Sequence, residues 1–193
     1  FLKESKAEAV DQDSDSADEI YSEYPETAAM AHHYHRKQVR RSSGDPYVVH
    51  PKEVAAIIKK HYQSDAGVSQ AELKNMINIA LLHDTIEDAH KNLPGDLERS
   101  KRKLDTLFAQ NLISQESYNR RIEQINQDAE LYVSHDIIGS HGMSIYSDIL
   151  SLSHDDNMTY SQYVSSLSSD PVLIRIKLAD MLHNASDLKQ PES

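Results

Sequence analysis

The sequence predicts an all-α protein. It contains five glycines and six prolines in 193 residues, fewer turn-forming residues than a sheet protein of this length needs. Apolar residues recur at helical spacing, as at 54, 55, 57 and 58, and no internal repeat or alternation of strand and helix patterns is present. These observations favour a bundle of helices.

Capping and turn-forming residues divide the chain into its helices. Proline at the start of a helix costs no hydrogen bond, and serine caps the exposed amides of the first turn, as expected for Ser69 and Ser114. The predicted helices span 27–39, 51–62, 69–84, two segments between 97 and 133, 144–152, 159–168 and 171–184. Clusters of Gly, Pro, Ser and Asp predict loops at 42–47, 63–68, 94–95 and 139–142.

The length of the chain is that of one domain. Residues 1–24 are acidic and weakly apolar, which predicts an N-terminal arm, and residues 25–193 then form the domain. A chain that starts on Phe1 rather than Met indicates a fragment or a processed form.

Composition excludes several classes of function. The net charge of -11 argues against sequence-independent nucleic-acid binding, although a small anionic substrate remains compatible with a local cluster of cations. No apolar run reaches the roughly 20 residues of a membrane span, and no secretory signal pattern is present, so we expect a cytoplasmic protein. Because cysteine is absent, any metal must be held by histidine and carboxylate side chains.

The segment 80–88 carries the strongest chemical signal. It reads ALLHDTIED, an apolar run that delivers His83 and Asp84 and then Glu87 and Asp88. On a helix, residues four apart share a face, which would place Glu87 above His83 and Asp88 above Asp84. Since buried ionisable groups need a partner or a metal, this pattern predicts a metal-dependent hydrolytic site.

Further metal ligands must come from elsewhere in the fold. His50 precedes Pro51 at a predicted helix start, and Asp180 is embedded in the apolar run of the last helix. A helix-capping or core histidine is the alternative for His50. The alternative for Asp180 is a salt bridge to Lys177 or Arg175.

Three sequence blocks resemble one family of enzymes. They read HRKQVR at 35–40 with SGDPYVVHP at 43–51, ALLHDTIED at 80–88, and IKLADMLHN at 176–184. Together they resemble the HD-domain phosphohydrolases, and within them the alarmone hydrolase domain of RelA/SpoT homologues of the small alarmone hydrolase type. The resemblance implies an HD-type helical bundle that removes the 3′-diphosphate from (p)ppGpp, giving GDP or GTP and pyrophosphate.

The resemblance also implies roles for individual residues. The ion would be Mn²⁺, although these N and O ligands also suit other divalent metals. Glu87 and Asp88 would position and deprotonate the attacking water. The implied metal ligands are His50, His83, Asp84 and Asp180, and the implied substrate-binding residues are Arg40, Arg41, Tyr47 and Asn184.

The chain departs from the family pattern in three places. One extra residue lies between Arg40 and the Ser-Gly pair, so Arg40 and Arg41 could exchange roles. Ser186 and Asp187 stand where the family commonly has an arginine and a threonine, which keeps open an HD-type phosphatase for another phosphorylated nucleotide or dinucleotide cofactor. The interval between Asp84 and Asp180 is longer than usual, which predicts a helical insertion at 97–142 that could form a lid or a homo-oligomer contact. A non-catalytic regulatory module is the remaining alternative.

Overall fold

The computed structural model describes residues 18–41, 43–153 and 157–187, and these residues form an all-α bundle, as predicted. Residues 18–23 are helical, and most of the predicted acidic arm lies outside the described residues. The helices that follow are α1 (Pro25–His35), α2 (Val49–Tyr62), α3 (Gln70–Leu82), α4 (Gly95–Ala109), α5 (Gln115–Leu152), α6 (Tyr160–Leu167) and α7 (Pro171–Asp187). A 3-10 turn (Ala89–Lys91) lies between α3 and α4.

Helix α3 is the centre of the core. Its last seven residues, 76–82, are all buried, which is the pattern of a helix surrounded by protein. Helices α2 and α7 pack against it and against each other, while α4 and α5 form a hairpin whose second helix also contacts α3. The C-terminal end of α3 therefore faces the start of α2 and the middle of α7.

Side-chain caps fix several helix starts at the predicted places. The hydroxyl of Ser69 accepts a hydrogen bond from the backbone N–H of Glu72, and Ser114 caps α5 in the same way. Thr159 and Gln162 form a reciprocal capping box at the start of α6. Asp170 caps α7 by accepting from the amides of the first turn.

Helix α1 is shorter than the predicted helix at 27–39. It ends at His35, because the chain then closes a loop through an isolated bridge between Val39 and Pro46. The amide of Arg40 donates to the carbonyl of Asp45 at 2.8 Å, and the amide of Tyr47 donates to that of Gln38 at 2.9 Å. This loop holds Arg40 beside Tyr47.

Helix α3 also ends earlier than predicted, at Leu82, and residues 83–88 form turns. The Thr85 hydroxyl donates to the Leu82 carbonyl at 2.6 Å and His83 Nδ1 to the Ala80 carbonyl at 2.8 Å. Such side-chain bonds compete with the backbone bonds that would continue the helix. The prediction that residues 83, 84, 87 and 88 share one helical face is therefore wrong.

The predicted loop at 139–142 is instead a kink inside α5. Gly142 has φ 84° and ψ 169°, a conformation that is essentially restricted to glycine, whereas the helix continues on both sides. Within the described residues, no helix is long and apolar enough to cross a membrane.

We expect Gly142→Ala to destabilise the fold by about 1–3 kcal/mol, because alanine would be strained at this φ. Gly139→Ala is the matched control: it lies three residues earlier in helical geometry with open space around its Cβ, and should be stabilising by up to ~1 kcal/mol. Urea unfolding measures both changes, and a Gly142→Ala variant as stable as the parent would contradict the kink.

Candidate metal centre

The four side chains predicted to hold a metal meet at one place. His50 is the second residue of α2, His83 and Asp84 follow α3 directly, and Asp180 lies in α7. His50 Nε2 lies 3.2 Å from Asp180 Oδ1 and 3.5 Å from Asp84 Oδ2. His83 Nε2 lies 3.1 Å from Asp84 Oδ2 and 3.9 Å from Asp180 Oδ1.

The donor set of this cluster suits a divalent ion. His50, His83 and Asp180 are buried, and one potential ligand atom from each lies within 4.8 Å of the others, so the three could hold a metal ion. Asp84 adds a carboxylate whose side chain is 21% exposed, which leaves the cluster open to solvent on that side. Two imidazoles with two carboxylates form a nitrogen and oxygen set that several divalent metals accept.

The environment of the buried Nε2 atom of His83 indicates whether a metal ion fits the cluster. His83 Nδ1 donates to the Ala80 carbonyl at 2.8 Å, which fixes the ring and turns Nε2 towards the carboxylates. Despite its distance of 3.1 Å from Asp84 Oδ2, Nε2 makes no hydrogen bond of acceptable geometry with any described residue. In the metal-free protein this buried nitrogen has only a poorly aligned ion-pair contact with Asp84, whereas a metal ion would use its lone pair.

The charges of the cluster perturb its ionisation in the metal-free state. Burial lowers the pKa of His50. Burial acts in the same direction on His83, but the attraction of Asp84 outweighs it and raises the pKa of His83 to about 9. Burial alone would raise the pKa values of the two carboxylates. The imidazoles nevertheless hold the pKa of Asp84 well below its usual range and lower the pKa of Asp180 to about 2.

The alternative role of Asp180 as an ion-pair partner is also present. Lys177 Nζ contacts Asp180 Oδ2 at 2.8 Å. The other oxygen, Oδ1, accepts from Asn184 Nδ2 at 2.7 Å and faces His50. Because the two oxygens have different partners, the ion pair and a place in the metal cluster are compatible.

Metal binding at pH 7 is expected to release about one proton from the metal-free protein. The raised pKa of His83 leaves Nε2 protonated at that pH, and an ion must displace this proton, whereas His50, whose pKa is lowered, is already neutral. Release should decline as the pH rises towards 9, where His83 loses its proton unaided. Calorimetry in buffers of different ionisation enthalpy measures the number of protons released. A heat of binding at pH 7 that is the same in every buffer would contradict this expectation.

The acidic pair after His83 and Asp84 is split by the turn. Glu87 is exposed, whereas Asp88 is buried. Asp88 Oδ1 contacts Lys91, and Oδ2 has no hydrogen-bond partner among the described residues. Asp88 therefore presents a buried carboxylate oxygen that can accept a proton or bind water.

Three of the predicted substrate-binding residues lie together beside the metal cluster. Arg40 Nη2 donates to Asn184 Oδ1 at 3.1 Å, and its guanidinium lies 5.8 Å from the centre of the Tyr47 ring. The Tyr47 hydroxyl donates to Asp84 Oδ2 at 2.6 Å, and burial together with Asp84 raises the Tyr47 pKa. Arg41, the fourth predicted residue, is exposed.

Two histidines near the site were not among the predicted site residues. His183 Nδ1 lies 2.8 Å from His50 Nδ1. His35 is buried with its Nδ1 bonded to Gln38 Oε1 at 2.7 Å, and its ring centre lies 5.0 Å from that of Tyr47. For His183, its spacing of three residues from Asp180 on one helix was a usable signal, because such residues share a face.

No family model and no solved structure gives a significant match. Several curated proteins are similar, among them "GTP pyrophosphokinase rsh" of Brucella melitensis (29% identity over 154 residues) and the GTP pyrophosphokinases of Streptomyces coelicolor (27% over 160) and Myxococcus xanthus (28% over 156). The alignments cover 80%, 83% and 80% of this chain but 15%, 14% and 16% of those relatives. The chain is thus distantly similar to GTP pyrophosphokinases over most of its own length.

Proposed function

We propose that this protein is a divalent-metal-dependent hydrolase that removes the 3′-diphosphate from (p)ppGpp. The convergence of His50, His83, Asp84 and Asp180 on one point carries the proposal. The names of the relatives support a guanine nucleotide as the substrate. The chain spans only about 15% of the length of these relatives.

Mn²⁺ is the ion we propose for His50, His83, Asp84 and Asp180. A divalent ion bound there supplies Lewis-acid chemistry: it makes water more acidic and offsets phosphate charge. The cluster could also accept zinc or iron, because imidazole and carboxylate suit all three metals.

The acidic pair supplies the proton chemistry in this proposal. Water attacks the phosphorus atom that is bonded to the ribose 3′ oxygen, the P–O3′ bond breaks, and pyrophosphate and GDP or GTP result. Glu87 and Asp88 orient the water and take its proton, and the 3′ oxygen leaves with a proton. Asp88 Oδ2 supports this role, because a buried carboxylate oxygen that receives no hydrogen bond from the described residues can accept a proton from water.

Arg40, Tyr47 and Asn184 bind the nucleotide in this proposal. The Arg40 guanidinium can stack on a purine or grip a phosphate. Its contact with Asn184 and its position over Tyr47 hold it next to Asp84, so a nucleotide on Arg40 would have its phosphates near the metal cluster.

Arg40→Ala is expected to lower kcat/KM by on the order of tenfold or more, mainly through KM, because a base-stacking contact is lost. Arg41→Ala is the matched control and should have little effect, since Arg41 is exposed. Steady-state kinetics on ppGpp compares the two. A larger effect at Arg41 would show that the two arginines exchange roles, as the extra residue in this loop allows.

A substrate screen tests the proposed reaction. Purified full chain loaded with Mn²⁺ is incubated with ppGpp, with pppGpp, with 2′- and 3′-phosphorylated dinucleotide cofactors, and with ATP plus GTP. We expect pyrophosphate and GDP or GTP from the first two, identified by chromatography. Selective release of phosphate from a cofactor would favour the alternative phosphatase, to which Ser186 and Asp187 point, and pppGpp and AMP formed from ATP and GTP would identify a synthetase.

A further inference from the structure

A direct contact between two histidines, one of them a proposed metal ligand, links α2 to α7. His50 Nδ1 and His183 Nδ1 lie 2.8 Å apart, and the ring centres are 4.9 Å apart. On α7, His183 lies three residues after Asp180, so both face α2. Helices α2 and α7 are packed together, which holds this pair in place.

The position of the proton in this pair distinguishes a structural role of His50 from a role as a metal ligand. A neutral imidazole has one N–H donor and one acceptor nitrogen, so a bond between two Nδ1 atoms needs a proton on one of them. If His183 donates, the His50 proton is on Nε2 and points at Asp180, as in a structural core histidine. If His50 donates, its Nε2 carries a lone pair that points into the cluster.

We propose that His183 is a positioning residue for the metal centre: its Nδ1 accepts the Nδ1 proton of His50 and so keeps Nε2 of His50 as the ligand nitrogen. The inference rests on the metal centre of the proposed function. Metal-bound histidines generally donate their second N–H to a nearby acceptor, which fixes both tautomer and ring orientation. The other cluster histidine follows this rule, since His83 Nδ1 donates to the Ala80 carbonyl. His183 provides the equivalent acceptor for His50.

Metal affinity of three variants tests the inference. Mn²⁺ is titrated into the metal-free full chain and the free ion is measured by electron paramagnetic resonance. We expect His183→Leu to weaken binding about 10–100-fold, the usual effect of removing such an acceptor. His183→Asn should restore most of the affinity, because its amide oxygen can take the place of Nδ1.

His61→Leu is the matched control. His61 is an exposed histidine on α2 that lines the same cavity of about 260 Å³ as His183, and its Nδ1 bonds to the Ile57 carbonyl at 2.9 Å. This variant should bind Mn²⁺ like the parent. Parental affinity in His183→Leu, or a His183→Asn variant as weak as His183→Leu, would overturn the inference.

The tautomer of His50 can be read in the unmutated protein, so the test does not depend on a variant that folds. Long-range ¹H–¹⁵N correlation spectra of the zinc-loaded protein should show His50 protonated on Nδ1, and a proton on Nε2 would overturn the proposal. His50→Ala distinguishes a failure of the His183 proposal from a failure of the proposed metal centre. If it loses Mn²⁺ while His183→Leu does not, only this inference falls; if the parent binds no ion, or His50→Ala binds like the parent, the proposed metal centre falls with it.

Discussion

Alanine in place of Asp180 is expected to abolish divalent-metal binding and turnover together. Asp180 Oδ1 lies close to Nε2 of both His50 and His83, so the substitution removes a buried charged ligand from the centre of the cluster. Truncation of one partner in such a buried group costs on the order of 2–5 kcal/mol, which corresponds to an affinity loss of about 30-fold to several thousandfold. Mn²⁺ titration and ppGpp hydrolysis, both on purified protein, measure the two losses.

Lys177→Met distinguishes the role of Asp180 as a metal ligand from its role in the salt bridge. It removes the ion pair with Asp180 Oδ2 but leaves Oδ1 facing His50. We therefore expect Lys177→Met to retain the metal. If the ion pair were the whole role of Asp180, both variants would lose stability and neither would change Mn²⁺ affinity, and that outcome would contradict the proposed ligand set.

Glutamine in place of Glu87 is expected to leave metal binding intact and to slow hydrolysis by about 10²–10⁴-fold. The substitution keeps the shape of the side chain but removes its ability to accept a proton, and general-base catalysis commonly contributes a factor of this size. Glu87 lies in the turn after Asp84 and is exposed, so its replacement should not disturb the core. Single-turnover rates at saturating Mn²⁺ measure the chemical step.

Glu130→Gln provides the control for a general charge effect, because it removes the same charge from an exposed position on α5. It should hydrolyse ppGpp at the parental rate. A Glu87→Gln variant that loses its metal would instead make Glu87 a ligand, and one that keeps the full rate would remove it from the mechanism.

The fold class and several helix starts could be predicted because local chemistry decides them. Ser69 and Ser114 cap their helices in the structure through the hydroxyl-to-amide bonds that their sequence positions predicted. The end of α3 could not be predicted in the same way. The side chains of Thr85 and His83 compete for backbone carbonyls there, while the apolar pattern continues.

The candidate site was predictable as a set of residues but not as a geometry. His50 and Asp180 are 130 residues apart in sequence, and their 3.2 Å contact depends on how α2 and α7 pack around α3. Sequence context made both residues candidate ligands, and the resemblance to a family placed them in one ligand set. The contact between His50 and His183 depends on the same packing, which is why sequence reasoning missed it.

An anomalous difference map from crystals of the full chain grown with Mn²⁺ shows directly whether these four side chains bind one ion. We expect a single strong peak within bonding distance of His50 Nε2, His83 Nε2 and the carboxylates of Asp84 and Asp180. A map without a peak among these four side chains, or with its manganese held by other residues, would contradict it.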